Sequence, residues 1–294
     1  MGAVGREAVR VARGDDRLLA PTRVTATLIV PVLVAAWSVL FLFPTRSDDL
    51  WAWAVAPEMT ALVMGGGYLA GAYFFARVTR AGRWHRVGWG FVGTTVFTTL
   101  LLLATVVHWD RFNHGHVSFW AWLALYVITP PLLPVLFVRN RRFDPGVPEP
   151  GDVPVPRPMR VAWVVAGAAQ VALAVVMTAA PRLVLDRWPW TITPLTARTL
   201  AAFIAFPAVT WLCLAVDDRW SSFEVPFRTA TLGLLLVAAA AVLARDDLDG
   251  PAWSVRVFAV VLAGTLAALL VVQVAMQRRA MPVRKRPRGS AAAA

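Results

Sequence analysis

The sequence predicts an all-α polytopic membrane protein with eight transmembrane helices, built as two tandem, parallel four-helix repeats. The first observation is composition: 58% of the residues are hydrophobic and 16% are charged, whereas soluble domains have about 25% charged residues. The second is a series of eight apolar segments, most of them close to the ~20 residues that a helix needs to cross a bilayer. The third is an internal repeat.

The repeat is clearest in a tryptophan-containing segment that occurs twice. Residues 44–57 and residues 181–194 align without a gap. The identical pairs are Pro44/Pro181, Asp49/Asp186, Trp51/Trp188, Trp53/Trp190 and Pro57/Pro194. The offset of 137 residues extends upstream to Arg23/Arg160, and downstream an offset of 136 pairs Asp110 with Asp246 and Arg142 with Arg278. Self-similarity at a fixed offset indicates a duplicated structural unit.

The duplication divides the chain into five parts. These are an N-terminal segment (1–22), a first repeat (23–142), a proline-rich linker (143–159), a second repeat (160–278) and a basic tail (279–294). We expect the N-terminal segment to be mobile and the linker to be extended. Because each repeat has an even number of crossings, the repeats should be parallel, with a pseudo-twofold axis along the membrane normal.

The predicted spans lie near residues 24–43, 58–77, 87–108, 118–138, 161–180, 195–216, 229–244 and 253–276. Gly67 and Gly71 in the second span form a Gly-xxx-Gly pattern that allows close helix packing, either inside the repeat or in a homodimer. Pro130 and Pro131 predict a kink in the fourth span. The seventh span is the shortest, and its ends are the hardest to place.

The distribution of basic residues predicts the orientation. One set of loops, together with both termini, holds 22 of the 29 Arg and Lys residues, so both termini should be cytoplasmic. Only Lys285 is a lysine, which is typical of a high-GC bacterium and places the protein in a bacterial cytoplasmic membrane. The basic tail predicts contact with anionic lipid of the bilayer. The net charge of +12 therefore does not indicate a nucleic-acid partner.

The repeated tryptophan segments are predicted to lie on the outer side, just before the second and sixth spans. One interpretation is an interfacial anchor, with the indole rings among lipid headgroups. The other interpretation is that the two segments lie symmetrically at the rim of an outward-facing cavity. On that reading the ligand-binding residues are Asp49, Trp51, Trp53, Asp110, Arg111, Asp186, Trp188, Trp190 and Asp246.

Residues 108–116 hold three of the four histidines together with one carboxylate. His108, Asp110, His114 and His116 are therefore candidate ligands for zinc or another divalent metal. No HExxH-type signature is present, and the second repeat has no histidine at the matching positions. The alternative is a solvated, pH-sensitive loop.

The middle of the predicted spans lacks ionisable side chains. No Asp, Glu, Lys, Arg or His falls there, which argues against proton-coupled transport and intramembrane hydrolysis. Gln170 is a polar residue in the middle of the fifth span. Such residues more often form hydrogen bonds between helices than line a transport pathway. The sequence has no phosphate-binding loop, dinucleotide turn or nucleophile elbow, and it predicts no cofactor.

The run from Trp188 to Thr196 resembles multi-pass proteins of high-GC Gram-positive bacteria, a resemblance that implies no particular activity. The duplicated four-helix plan is similar in architecture to haem A synthase-type proteins. The intramembrane histidines that serve that family as haem ligands have no counterpart in this sequence.

These observations predict a non-enzymatic membrane protein with an outward-facing polar and aromatic pocket. The pocket would bind a small solute, a lipid headgroup or a partner protein. The alternative is a secondary transporter or facilitator that is not coupled through intramembrane carboxylates. A third hypothesis is a membrane enzyme that uses His108, Asp110, His114 and His116.

Overall fold

The computed structural model of the protein describes residues 14–284, with side chains up to residue 280. In that part the regular structure is helical, and eight helices are long and apolar enough to cross a membrane. They are α1 (Ala20–Trp37, extended by a π-helical turn Ser38–Leu42), α2 (Glu58–Thr79), α3 (His85–Val107), α4 (Val117–Arg141), α5 (Arg157–Ala179), α6 (Pro194–Leu212), α7 (Trp220–Leu243) and α8 (Ala252–Arg284).

The all-α, eight-span fold class is confirmed, and the largest boundary difference concerns α7. This helix begins at Trp220, nine residues before the predicted start of the seventh span. Its first turns contain Pro226 and the pair Glu224 and Arg228, whose charged groups lie 2.6 Å apart one helical turn from each other. The pair stabilises the helix slightly, and the low hydropathy of this stretch is the reason that the sequence predicted a later start.

Each half of the chain forms the same helix contacts, both within itself and with the other half. Within the halves, α1 packs on α2 and α5 on α6, while α3 packs on α4 and α7 on α8. Between the halves, α2 packs on α7, α6 packs on α3, and α3 meets α7. A twofold relation between repeats would produce this pattern. It supports the tandem duplication, which stays a prediction.

The glycine-rich stretch of α2 allows this close packing. A Cβ atom at Gly66 would lie 2.8 Å from Leu236 of α7, and one at Gly67 would lie 2.4 Å from the ring of Phe203 of α6. The small residues therefore serve contacts inside the chain. The homodimer that the Gly-xxx-Gly pattern also allowed stays a prediction.

One end of the bundle, termed here the N-terminal face, carries residues 14–19 and the α2–α3, α4–α5 and α6–α7 connections. The proline-rich linker is folded onto this face: Val155 N–H donates to Asp218 O (2.7 Å), and Trp220 N–H donates to Val153 O (3.1 Å). Asp16 N–H donates to Phe143 O (2.8 Å). Residues 14–19 and the linker are thus docked rather than free. Residues 1–13 and the tail from residue 285 lie outside the described part.

Two aspartates have matching roles at this face. Asp16 accepts a hydrogen bond from the backbone N–H of His85 at the start of α3 (3.1 Å). Asp152 accepts one from the N–H of Ser221 at the start of α7 (3.0 Å). The two acceptors, Asp16 and Asp152, are 136 residues apart in the sequence, and so are the two donors, His85 and Ser221. Each carboxylate satisfies a free N–H group of a helix N-terminus, as duplicated units would require.

Candidate functional site

A cavity of about 400 Å³ lies inside the bundle and is lined by residues from all eight long helices. Its wall is formed mainly by aliphatic and aromatic side chains, including Leu33, Phe75, Leu200, Val237 and Leu262. This volume falls in the range of about 300–1,000 Å³ typical of small-molecule sites. The cavity is the candidate site because it is the concave feature to which both halves of the chain contribute.

Many residues of the cavity wall are 136 apart in the sequence. Such pairs include Tyr68/Ile204, Gly71/Pro207, Phe97/Gly233, Tyr126/Leu262, Thr129/Thr265 and Leu133/Leu269. At three of them the first half has the larger side chain. Tyr68 and Tyr126 share a hydrogen bond of 3.0 Å between their hydroxyl groups, and Phe97 is matched by Gly233. At Gly67/Phe203 and Gly71/Pro207 the second half has the larger side chain, so the two halves fill the cavity wall differently.

The cavity wall includes two well-exposed residues, one on α5 and one on α8. Two of its wall residues, Leu173 on α5 and Val261 on α8, are 38% and 58% exposed. In the described part of the chain α5 packs on α6 and α8 packs on α7, with no packed interface between α5 and α8. We call this gap the α5/α8 opening.

Most polar side chains on the wall are already satisfied. Thr94, Thr129 and Thr229 donate to carbonyl oxygens of their own helices, at 2.7, 2.6 and 2.9 Å. The side chains of Gln170 and Thr265 differ, as does the buried indole N–H of Trp188, because none of them forms a hydrogen bond with any residue between 14 and 280. They are polar groups on an apolar wall with capacity for a ligand.

The tryptophans singled out in the sequence are mostly core residues. Trp51, Trp53 and Trp190 are 7%, 5% and 2% exposed, so they do not place their rings among headgroups. Trp53 packs on Trp122 with ring centroids 4.9 Å apart, and the indole N–H of Trp190 donates to Thr60 Oγ1 (2.9 Å). An aromatic pair of this kind is stabilised beyond the area that it buries. Trp188 and Trp190 do lie on the cavity wall.

The charged residues predicted to bind a ligand on the outer side are exposed and lie away from the cavity wall. They are Asp49, Asp110, Arg111, Asp186 and Asp246. Asp49 lies 4.0 Å from Arg46, and Asp246 lies 3.7 Å from Arg245. Their neighbour Asp247 is the one with a structural role, because it accepts from the N–H of Met59 (2.8 Å) at the start of α2.

The three clustered histidines serve three separate contacts. His116 Nδ1 accepts from the N–H of Ser118 (3.2 Å) and caps α4, while the ring of His114 lies 4.9 Å from that of Trp109. His108 Nε2 lies 2.7 Å from the Arg198 guanidinium, which donates to it. Within residues 14–280, no three His, Cys, Asp or Glu side chains could together hold a metal ion. The structure thus does not bring His108, Asp110, His114 and His116 together as a ligand set.

The surroundings of His108 disfavour its protonated form. Burial, and then the nearby charges of Arg198 and Arg111, lower the pKa of His108 below its ordinary value. Arg198 also donates to the Thr178 carbonyl (3.0 Å) at the end of α5. The hydrogen bonds of Arg198 to His108 and to Thr178 thus tie the ends of α3 and α5 to α6.

A polar cluster at the N-terminal face was not predicted. His85, which is buried, hydrogen-bonds through Nδ1 to Asp16, and its Nε2 lies 2.9 Å from Ser221 Oγ. Ser221 Oγ donates to Asp152 (2.6 Å), and Glu149 lies 4.0 Å from the His85 ring. The order of groups matches a serine hydrolase triad, but Ser221 is only 5% exposed. The cluster joins four chain segments and leaves its hydroxyl no path to a substrate.

A second buried cluster lies beside the first and is centred on Arg219. Its guanidinium donates to both oxygens of Asp144, at 2.8 and 3.0 Å, and also to Asp217. Asp217 additionally accepts from the indole N–H of Trp89 (2.7 Å). Burial raises the pKa of Asp217, but the Arg219 and Trp89 hydrogen bonds outweigh burial and lower it to about 2. The cluster holds the linker and the α6–α7 connection together as a charged unit.

No family model matches the chain, and comparison with curated proteins and with solved structures finds no match either. The functional interpretation therefore depends on the cavity and its wall.

Proposed function

We propose that this integral membrane protein binds an apolar, lipid-like molecule in the cavity that its two halves enclose. The observation that carries the proposal is the α5/α8 opening, where Leu173 and Val261 are exposed on the cavity wall. A cavity that opens into hydrocarbon is supplied with hydrocarbon molecules. This replaces the polar outward pocket predicted from the sequence with a site at the depth of the membrane.

The physical reason for an apolar ligand is the composition of the wall. An apolar cavity does not hold water stably, because a trapped water needs two to four polar partners. An empty cavity leaves the side chains around it without van der Waals contacts on one side. An acyl or polyprenyl chain that enters sideways restores those contacts. Binding would therefore be driven by packing rather than by charge.

We propose binding rather than catalysis because of what the wall offers. Among the described residues it includes no carboxylate, imidazole, guanidinium or amine, and its tyrosines, Tyr68 and Tyr126, bond to each other. General acid–base or nucleophilic chemistry needs such a group within reach of the ligand. The buried His85 cluster lies at the N-terminal face and is structural.

Transport of the same apolar molecule is the alternative function. One specific observation favours it: Pro207 lies inside α6 and on the cavity wall. A proline frees a backbone carbonyl and lets a helix bend. Proteoliposomes that exchange a labelled fatty alcohol between leaflets faster than protein-free vesicles would support transport. Exchange at the rate of protein-free vesicles would exclude transport, and binding would then be the function.

We further propose the bacterial cytoplasmic membrane as the location, with the N-terminal face in the cytoplasm. The support is the predominance of arginine in the connections of that face, as orientation by positive charge requires. Contact of the basic tail with anionic lipid belongs to the same proposal, and the tail beyond residue 284 lies outside the described part of the chain. Protease accessibility of the tail in right-side-out vesicles tests this orientation.

The binding proposal is tested by filling the cavity. Val237 and Val242 lie on the same helix, but Val237 lines the cavity whereas Val242 is 73% exposed on the lipid side. Native mass spectrometry of protein released from nanodiscs measures retained lipid. We expect Val237→Trp to lower retention several-fold and Val242→Trp to leave it unchanged. Equal retention in the Val237→Trp variant and the wild type would contradict the proposal.

A further inference from the structure

We infer that Gln170 and Thr265 recognise a polar group on the ligand, so that the ligand is an apolar chain with a carbonyl or hydroxyl oxygen at mid-membrane depth. The inference rests on the proposed function, because it concerns the same cavity. It adds the chemical class of the ligand and names two residues that determine specificity.

The first argument compares two of the glutamines of the second half, Gln273 and Gln170. Gln273 on α8 donates to Thr231 Oγ1 (2.7 Å) and to the Leu269 carbonyl (3.2 Å). Gln170 on α5 has no such partner within residues 14–280 although it lies on the cavity wall. In hydrocarbon an unpaired amide is costly, and polar residues at that depth usually find a partner. A bound molecule would supply it.

The second argument compares Thr265 with the matching threonine of the first half. Thr129, which is 136 residues earlier, donates to the Leu125 carbonyl (2.6 Å) and is thereby satisfied. Thr265 forms no bond to the corresponding carbonyl of Val261, nor to any other residue between 14 and 280. Threonine in a helix ordinarily bonds back to its own carbonyls, so its hydroxyl is available to a ligand.

Both residues flank the α5/α8 opening. Gln170 is three residues from Leu173, and Thr265 is four residues from Val261, so each lies on the same helix face as a wall residue at the opening. Gln170 is nine residues from the end of α5 at Ala179, about 14 Å, and Thr265 is thirteen residues from the start of α8 at Ala252, about 20 Å. The two depths are similar and lie within the hydrocarbon layer.

The available groups define the ligand. An amide and a hydroxyl both donate and accept hydrogen bonds, so a ketone, ester, quinone-like carbonyl or alcohol oxygen suits them. An anionic group does not, because the described wall has no cation to pair with it. The depth excludes a phospholipid headgroup, which lies at the surface of the bilayer.

Two probes of equal chain length test the inference: tetradecane and 7-tetradecanone, each added to nanodiscs that contain the protein, with empty nanodiscs as the blank. We expect the wild type to bind the ketone about threefold to tenfold more strongly than the alkane. Gln170→Leu and Thr265→Val should each reduce this preference, whereas Val242→Trp, an exposed change on α7, should keep it. A thermal unfolding midpoint close to that of the wild type shows that the variants are folded.

The outcomes separate the two levels of the proposal. Equal binding of both probes to the wild type would overturn the recognition role of Gln170 and Thr265 while leaving the cavity as a binding site. The same conclusion follows if the ketone preference survives in both variants. Binding of neither probe by the wild type would overturn the proposed function itself, and the inference with it.

Discussion

The imidazole of His85 and the hydroxyl of Ser221 lie 2.9 Å apart at the N-terminal face, at the starts of α3 and α7. They are 136 residues apart in the sequence, the offset that also relates their aspartates, Asp16 and Asp152. Ser221 Oγ donates in turn to Asp152 (2.6 Å). The two halves of the chain are thus joined by one continuous chain of hydrogen bonds.

Removing the His85 ring should destabilise the fold. In His85→Ala, Asp16 and Ser221 lose a partner while buried, and a buried group left unsatisfied costs about 1–3 kcal/mol. Thermal unfolding in detergent, followed by tryptophan fluorescence, should therefore show a lower Tm. His116→Asn, which keeps a capping acceptor for α4, serves as the control and should leave the Tm nearly unchanged. Equal Tm values for wild type and His85→Ala would show that the cluster contributes nothing.

The Arg219 cluster predicts acid sensitivity. The pKa of Asp217 is about 2 in the folded protein and 3.8 ordinarily, so its stabilising contribution is complete above about pH 4. It is lost as the pH falls from about 4 to about 2, and it amounts to about 2 kcal/mol. Denaturant unfolding at several pH values should show this loss in the wild type. Arg219→Gln should flatten the slope, whereas an unchanged slope would exclude the cluster as its cause.

The pairing of His108 with Arg198 predicts a change in titration. Arg198 is one of the causes that lower the pKa of His108, after burial. In Arg198→Gln the pKa should therefore rise toward its ordinary value of about 6.5 without reaching it. Histidine side-chain NMR signals of labelled protein measure it directly, since the chain has four histidines. Arg187→Gln, an exposed change on the same side, should leave the signal unchanged; an identical shift in both variants would contradict the pairing.

Replacing Gly93 and Gly264 by alanine should have opposite effects on the stability of the protein. A Cβ atom at Gly93 would lie 2.4 Å from the Phe206 carbonyl oxygen, so Gly93→Ala forces α3 away from α6 and should cost about 1–3 kcal/mol. At Gly264 nothing lies within 4 Å, and alanine should stabilise α8 by up to about 1 kcal/mol. Unfolding in a denaturing detergent compares both with the wild type. A neutral Gly93→Ala would contradict the tight α3–α6 contact.

The sequence contains most of what determines the fold. Hydropathy and segment length predict eight spans because each crossing must satisfy its backbone within a helix. The start of α7 was missed because Glu224 and Arg228 lower its hydropathy while satisfying each other in the helix. The docking of residues 14–19 could not be predicted, because it depends on Asp16 meeting a histidine 69 positions later.

The candidate site was less predictable. Trp188 and Trp190 were singled out and lie on the cavity wall, but their burial in the bundle reversed the expected environment. The cavity itself depends on how the side chains pack in three dimensions, which the amino-acid composition does not predict.

The most direct measurement of the central claim is photo-cross-linking with a fatty alcohol that carries a diazirine on its chain, followed by peptide mapping. Leu200 and Thr229 line the cavity and are 3% and 1% exposed, whereas Val260 is 71% exposed on the lipid side. If an apolar chain enters the cavity, Leu200 and Thr229 will be labelled together with Val260. Labelling of Val260 alone would show that the cavity is closed to lipid and would contradict the account.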